Sequence, residues 1–176
     1  EICACLVGSE MCIRDSCDRV CHIQKKLKDS GLNTHIYFLG KGPDEDYVRN
    51  FSKKYNLEDS VTLLGYQTNP YKFVKNCDLF VCASLAEGFS TAATEALILG
   101  TPVVTVEVSG MKEMLGENNE YGIVTENNED ALYEGIKKIL TTPDLLEAYA
   151  AKAKERGKAF STEKTVKAVE EMLESL

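Results

Sequence analysis

Short apolar runs alternate with amphipathic stretches along most of this chain. The runs have the length and composition of buried strands and lie at residues 35–39, 61–65, 79–84, 103–106 and 122–124. Between the runs, apolar residues recur at helical spacing, as at Val20, Ile23 and Leu27. Asp44 and Asn128 stand just before two such stretches, where we expect them to cap helices. The pattern predicts an α/β fold with one Rossmann-like parallel sheet of about five strands and helices on both faces.

Both ends of the chain differ from this regular middle. Two further helical stretches, at about residues 144–158 and 161–176, predict a C-terminal helical tail. The first sixteen residues show no clean strand or helix period, and they resemble the conceptual translation of sequencing-adapter DNA. We therefore expect residues 1–16 to be a non-native or disordered leader, and residues 17–176 to form the domain.

Composition narrows the classes of function. The chain has 176 residues, of which 44% are hydrophobic and 27% charged, as in an ordinary single globular domain. Its net charge of −8 makes it a poor partner for a phosphate backbone, so we expect no nucleic-acid binding. No apolar run reaches the length of a membrane span.

The seven cysteines do not have the paired spacing of a structural metal site. Cys77 and Cys82 lie near or in an apolar strand, where buried free thiols usually sit. We therefore expect no metal site and a reducing, cytoplasmic compartment.

The most informative segment, residues 87–97, follows an apolar strand and opens a helix. Glu87 and Glu95 flank a turn of small residues that leads into the helix amino terminus. Such a terminus exposes unpaired N–H groups and suits an anion such as phosphate. The carboxylates repel phosphate but are good acceptors for sugar hydroxyls. A nucleotide sugar offers both partners, a diphosphate between two hydroxyl-rich rings.

This segment carries a family resemblance over roughly residues 18–175. The run E-G-F-S-T-A-A-T-E-A, followed by L-G-T-P-V-V, resembles the E-x7-E signature of retaining glycosyltransferases of family 4, which have the GT-B fold. The resemblance implies that residues 17–176 are a fragment of such an enzyme, its C-terminal, nucleotide-sugar-binding domain. It also implies transfer of a sugar to an acceptor with retention, in polysaccharide or glycolipid synthesis.

The resemblance assigns roles to the two glutamates. Glu95 is expected to accept hydrogen bonds from the ribose hydroxyls of the donor. Glu87 is expected to contact the donor sugar near its reacting face as the catalytic carboxylate, and to support positive charge that develops there. A capping or solvated glutamate is the ordinary alternative for each.

The residues between the glutamates are expected to bind the donor as well. Gly88, Phe89, Ser90 and Thr91 offer backbone N–H groups, and Gly88 permits a close approach. The Ser90 and Thr91 hydroxyls could instead cap the helix, which is compatible with phosphate binding. Phe89 could equally fill the core.

Two further loops follow predicted strands at the same edge of the sheet. Gly40, Lys41 and Gly42 are similar to the family's G-x-G loop, although a plain turn and a solvated lysine would explain them too. Tyr66 and Gln67 follow a strand where the family holds the base, uracil or guanine. Tyr66 could stack on the base, with a packed tyrosine as the alternative.

The resemblance also sets expectations for cofactors and partners. We expect no cofactor and no metal, with a UDP- or GDP-linked sugar as the donor. The family's Arg…Lys pair for the diphosphate is not visible here, and the N-terminal acceptor domain is missing, so we expect the chain alone to be inactive. The full-length protein is expected in the cytoplasm, with peripheral association at the inner membrane face. A nucleotide-sugar-binding module without transfer activity is the alternative function.

Overall fold

The computed structural model describes residues 2–10, 16–86 and 88–160, and of residues 3–10 it describes the backbone alone. The strands are β1 (Ile2–Glu10), β2 (Thr34–Lys41), β3 (Val61–Gly65), β4 (Leu79–Cys82), β5 (Val103–Val106) and β6 (Ile123–Thr125). The helices are α1 (Cys17–Asp29), α2 (Glu45–Lys54), α3 (Tyr71–Asn76), α4 (Thr91–Leu99), α5 (Met111–Leu115), α6 (Glu129–Thr141) and α7 (Leu145–Gly157).

The strands form one sheet in the order β3-β2-β1-β4-β5-β6, and every neighbouring pair is parallel. The backbone register places Cys5 beside Phe80, and Phe80 beside Val103. This is a doubly wound sheet whose strand order reverses between β1 and β4, which is where ligands of such folds bind. Helix α4 follows β4 directly, so the segment singled out above lies at the reversal point.

The core has one apolar layer on each face of the sheet. In β4, Leu79 and Val81 pack into the layer beneath α1 and α6, whereas Phe80 and Cys82 pack into the layer beneath α4 and α5. Successive strand residues point to opposite faces, so a strand that is apolar throughout must be covered twice. The predicted Rossmann-like parallel sheet with helices on both faces is therefore confirmed.

One strand differs from the sequence-based expectation. About five strands were expected, but Ile2–Glu10 forms a sixth, β1, between β2 and β4. Its strand conformation comes from hydrogen bonding on both sides to strands far along the chain, which its own residue pattern does not reveal. The division into a leader at residues 1–16 and a domain at 17–176 stays a prediction.

The described part of the predicted helical tail is α7, which is followed by a 3-10 turn, Lys158–Phe160. The expected helix at residues 161–176 lies outside the described residues. Across the part of the chain that the structure describes, no helix has the combination of length and apolar character that crossing a bilayer requires.

Of the two cysteines expected to be buried free thiols, Cys77 and Cys82, one is. Cys82 is a buried free thiol, as is Cys21. Cys77 is disulfide-bonded, so the prediction of a free thiol there is wrong. The expectation of a reducing compartment is no longer supported by a free thiol at Cys77, and it stays a prediction.

Candidate functional site

The carboxyl edge of the sheet carries a cleft of about 310 Å³. Three segments that are distant in sequence line it: the end of β2, the loop from β3 to α3, and the first turns of α4. Its lining residues are Leu39, Gly40, Tyr66, Gln67, Thr68, Pro70, Tyr71, Thr91, Ala92 and Glu95. The cleft thus brings together five of the predicted site residues, Gly40, Tyr66, Gln67, Thr91 and Glu95.

The amino terminus of α4 is capped on one side and open on the other. The Ser90 hydroxyl accepts a hydrogen bond from the Ala93 N–H at 3.3 Å, and the Thr94 N–H donates to the Ser90 carbonyl at 3.1 Å. The N–H groups of Thr91 and Ala92 have no acceptor within residues 16–86 and 88–160, and both residues line the cleft. Two backbone donors at the positive end of a helix dipole are therefore available to an anion.

Glu95 lies one turn further along α4, with its side chain half-buried. The Tyr71 hydroxyl donates a hydrogen bond to Glu95 Oε1 at 3.2 Å. The negative charge of Glu95 and this hydrogen bond raise the pKa of Tyr71 above its ordinary value. Among the described residues, the cleft is therefore lined by one carboxylate, that of Glu95, and a neighbouring hydroxyl donates to it.

The end of β3 provides an aromatic ring and a fixed amide. The Tyr66 side chain is 67% exposed, so the alternative of a packed tyrosine is wrong. Gln67 Nε2 donates to the Leu64 carbonyl at 2.6 Å, which holds the Gln67 side chain against its own strand. Gly40 completes this side of the cleft, with a φ of 122° that disfavours residues with a Cβ.

Several other predicted residues lie beside the cleft without lining it. Lys41 is exposed, and the Gly42 carbonyl accepts a hydrogen bond from the Glu45 N–H at 3.3 Å, so the G-x-G loop also serves as the turn into α2. Gly88 and Phe89 are exposed. Their binding roles stay predictions.

Phe89 does not fill the core. Its side chain is 50% exposed, and its ring packs edge-on against Phe160, with 6.2 Å between the ring centroids. The alternative role of core filling is therefore wrong. Phe89 instead joins the loop before α4 to the turn after α7.

Glu87 lies outside the described residues. Its catalytic role and its position relative to Glu95 stay predictions.

Sequence reasoning missed two residues at this edge of the sheet. Tyr71 was passed over because a tyrosine at a helix start has no distinctive spacing, although it follows the Tyr66–Gln67 loop that was singled out. Gly110, before α5, packs against Gly88 and Phe89. The role of Gly110 depends on a contact between two separate loops, and the residues around Gly110 in the sequence do not indicate such a contact.

Comparison with known proteins identifies the family. The model of the family described as Glycosyl transferases group 1 matches residues 16–156. The N-acetylgalactosamine-N,N'-diacetylbacillosaminyl-diphospho-undecaprenol 4-alpha-N-acetylgalactosaminyltransferase of Campylobacter jejuni is 40% identical over 127 residues, which cover 71% of this chain and 34% of that protein. The poly(ribitol-phosphate) alpha-N-acetylglucosaminyltransferase of Staphylococcus aureus is 31% identical over 129 residues, covering 73% of this chain and 26% of that protein.

The crystal structure of Anabaena HepE in complex with UDP has the same fold. It matches with a TM-score of 0.84 at 19% identity, over 98% of this chain and 49% of that chain. The present chain spans about a quarter to a third of the length of the two curated relatives. The family match and the relatives confirm the resemblance carried by residues 87–104, and the chain belongs to the group 1 glycosyltransferases.

Proposed function

We propose that this chain is the donor-binding part of a retaining glycosyltransferase that takes a UDP- or GDP-linked sugar. The observation that carries the proposal is the pairing, in one cleft, of two open N–H groups at the start of α4 with the carboxylate of Glu95. The diphosphate would bind the N–H groups of Thr91 and Ala92, where the helix dipole favours negative charge. The ribose hydroxyls would donate to Glu95.

The spacing along α4 suits this arrangement. Thr91 and Glu95 are four residues apart, which corresponds to a rise of about 6 Å along the helix axis. A nucleoside diphosphate that lies along the helix can therefore bring its phosphates to the helix end while its ribose reaches Glu95. The base would then lie toward the end of β3, beside the exposed Tyr66 ring and the backbone around Gln67.

Sugar transfer requires groups beyond this cleft. In the proposal, Glu87 acts near the reacting carbon of the donor sugar. Lys41 is the exposed last residue of β2, next to Gly40, and is the proposed cation for the diphosphate, with no metal required. The acceptor would bind residues of the full-length enzyme outside this chain, so we expect the chain alone to transfer little or no sugar.

The relatives support a role in surface-saccharide or glycolipid assembly. One is named for a diphospho-undecaprenol substrate and another for poly(ribitol-phosphate). We propose a lipid-linked or polymeric acceptor of this class for the full-length protein. A cytoplasmic location with peripheral attachment to the inner membrane face would give it access to both substrates.

Binding of UDP and GDP to the 176-residue chain tests the donor proposal. We expect saturation-transfer NMR signals from at least one of the two, and a loss of affinity of roughly tenfold or more in Glu95→Ala. Glu113→Ala is the matched control, because Glu113 is an exposed glutamate on a different helix that does not line the cleft. Equal affinity in Glu95→Ala and wild type, or no binding of either nucleotide, would contradict the proposal.

A radiolabelled transfer assay tests the proposal that the acceptor binds outside this chain. The isolated chain should show little or no turnover. Ordinary turnover by this chain alone would mean that it carries the acceptor site as well.

A further inference from the structure

Tyr71 and Glu95 form a polar pair inside the cleft, between two helices that are separate in sequence. Tyr71 is the first residue of α3, and its hydroxyl donates to Glu95 Oε1 at 3.2 Å. Within residues 16–86 and 88–160, this is the hydrogen bond that Glu95 makes through its side chain. Tyr71 is 46% exposed, so burial alone does not fix the position of its hydroxyl.

The fold braces the helix that carries Tyr71. Pro70 occupies the N-cap with φ −69°, a value that its ring enforces. At the other end of α3, the Thr101 hydroxyl donates to the Val74 carbonyl at 2.9 Å and ties the helix to the start of β5. Helix α3, which carries Tyr71, is therefore constrained near both of its ends.

The bond has a consequence for the carboxylate. A glutamate side chain has three rotatable bonds, and ordering it when a ligand binds costs conformational entropy. The Tyr71 hydroxyl fills one acceptor position on Oε1 and leaves Oε2 and the remaining lone pair of Oε1 as acceptors on a residue that lines the cleft. Two neighbouring hydroxyls of a ribose ring match two carboxylate oxygens that are already oriented.

We infer that Tyr71 is a positioning residue that holds Glu95 in the orientation that recognises a ribose diol, and so makes the site prefer ribonucleotides over 2′-deoxyribonucleotides. This inference builds on the proposed function and adds a specificity determinant to it. A phenol with its ordinary pKa of about 10 is protonated and a hydrogen-bond donor at neutral pH, and the charge of Glu95 raises the pKa of Tyr71 further.

The ligand-free chain provides the first test. Phenylalanine at position 71 removes the hydroxyl alone. We expect Tyr71→Phe to shift the side-chain carboxyl ¹³C resonance of Glu95, identified by its absence in Glu95→Gln. Tyr47→Phe is the matched control, because Tyr47 is a 39% exposed tyrosine with one long hydrogen bond, 3.4 Å to His22, away from the cleft. An unchanged Glu95 resonance in Tyr71→Phe would overturn the inference without touching the proposed function.

Binding provides the second test, with UDP, GDP and the 2′-deoxy form of whichever binds more tightly. Wild type should prefer the ribonucleotide. Tyr71→Phe should weaken its binding by about three- to tenfold, the size expected for the loss of one ordinary hydrogen bond, and should weaken the deoxy form less. In a Glu95→Ala background, Tyr71→Phe should have no further effect.

Each contrary outcome has a distinct meaning. Unchanged discrimination in Tyr71→Phe overturns the inference while the proposed function stands. A loss in Tyr71→Phe that persists in the Glu95→Ala background means that Tyr71 acts on the ligand itself, and it also overturns the inference. If wild type binds neither UDP nor GDP, the proposed function fails and the inference fails with it.

Discussion

Gly110 lies directly against the backbone of Gly88. A Cβ atom built on Gly110 would be 2.9 Å from the Gly88 carbonyl oxygen, and the φ of Gly110 is 79°. The two glycines belong to the loops that follow β5 and β4, so these loops meet at a point where a side chain does not fit. The contact limits how the loop that leads into α4 can lie against the loop that follows β5.

Substitution of Gly110 tests this contact. We expect Gly110→Ala to lower the free energy of unfolding by about 2–4 kcal/mol, since left-handed strain and overpacking against a backbone oxygen add up. Urea denaturation measures it. Gly31→Ala is the control, because Gly31 has φ 81° and open space around its Cβ position, so it has the strain without the clash. Equal losses in the two variants would show that the Gly88 contact contributes nothing.

Ser90 supports both the helix and the cleft, and a second cap of the same kind separates the two roles. Ser90→Ala should cost about 1 kcal/mol of stability and also weaken UDP or GDP binding severalfold, because the cap sets the path of the Thr91 and Ala92 backbone. The Asn128 side chain accepts from the Ala131 N–H at 2.8 Å, at a helix that does not line the cleft. Asn128→Ala should therefore lose similar stability and keep its nucleotide affinity. Titration calorimetry measures nucleotide binding by both variants. If Ser90→Ala and Asn128→Ala bind UDP or GDP with equal affinity, the open end of α4 is not the binding determinant.

Arg156 links α7 to the end of α5. Its Nε donates to the Met114 carbonyl at 2.8 Å and its Nη2 to the Glu113 carbonyl at 2.7 Å, which satisfies carbonyls that the helix leaves unpaired. The guanidinium also lies 5.2 Å from the centroid of the Phe160 ring, which packs on Phe89. Arg156 thus connects α7, through Phe160, to the loop before α4.

Because lysine keeps the charge but loses the planar fork, Arg156→Lys should lower the free energy of unfolding by about 1–2 kcal/mol. Arg49→Lys is the comparison: that arginine is 58% exposed and lies 4.0 Å from Glu45, a contact that contributes little. Thermal and urea unfolding of both variants would decide the matter. A loss for Arg49→Lys as large as that for Arg156→Lys would rule out a specific role for the carbonyl contacts.

Glu129 makes stability depend on pH in the acid range. Partial burial pushes the pKa of Glu129 up, but hydrogen bonds and charges from Lys26 and His22, at 2.7 and 2.9 Å, outweigh burial and leave the pKa below its ordinary value of 4.5. A carboxyl whose pKa is lower in the folded state stabilises the fold above its unfolded pKa, and that contribution is lost as the pH falls through the folded value.

Glu129→Gln should therefore be less stable than wild type at pH 6, and the difference should shrink steadily below about pH 4.5. Glu134→Gln, at an exposed glutamate on the same helix, should follow the wild-type pH curve. Urea unfolding at a series of pH values measures both. A constant difference between Glu129→Gln and wild type from pH 6 to pH 3 would contradict the assignment.

Short-range features were readable from the sequence wherever both partners lie within a few residues. Ser90 and Asn128 cap their helices as their positions indicated, because the acceptor and the N–H are three residues apart. Asp44 also stands at the N-cap of its helix, as expected, but its side chain makes no cap hydrogen bond. Whether an N-cap side chain turns toward its helix depends on the backbone around it, which the residue type alone does not determine.

The sequence by itself determined the alternation of strands and helices, the burial of strands on both faces, and the gathering of three loops at the carboxyl edge of the sheet. The alternation and the burial follow from hydrophobic periodicity, which is a local property of the chain. The three loops gather because parallel strands place their carboxyl ends at the same edge of the sheet. Only the tertiary structure decided that β1 lies between β2 and β4, that the Tyr71 hydroxyl reaches Glu95, and that Arg156 holds the end of α5. Those contacts join residues 24 or more positions apart, and their geometry is set by how whole elements pack rather than by any pattern along the chain.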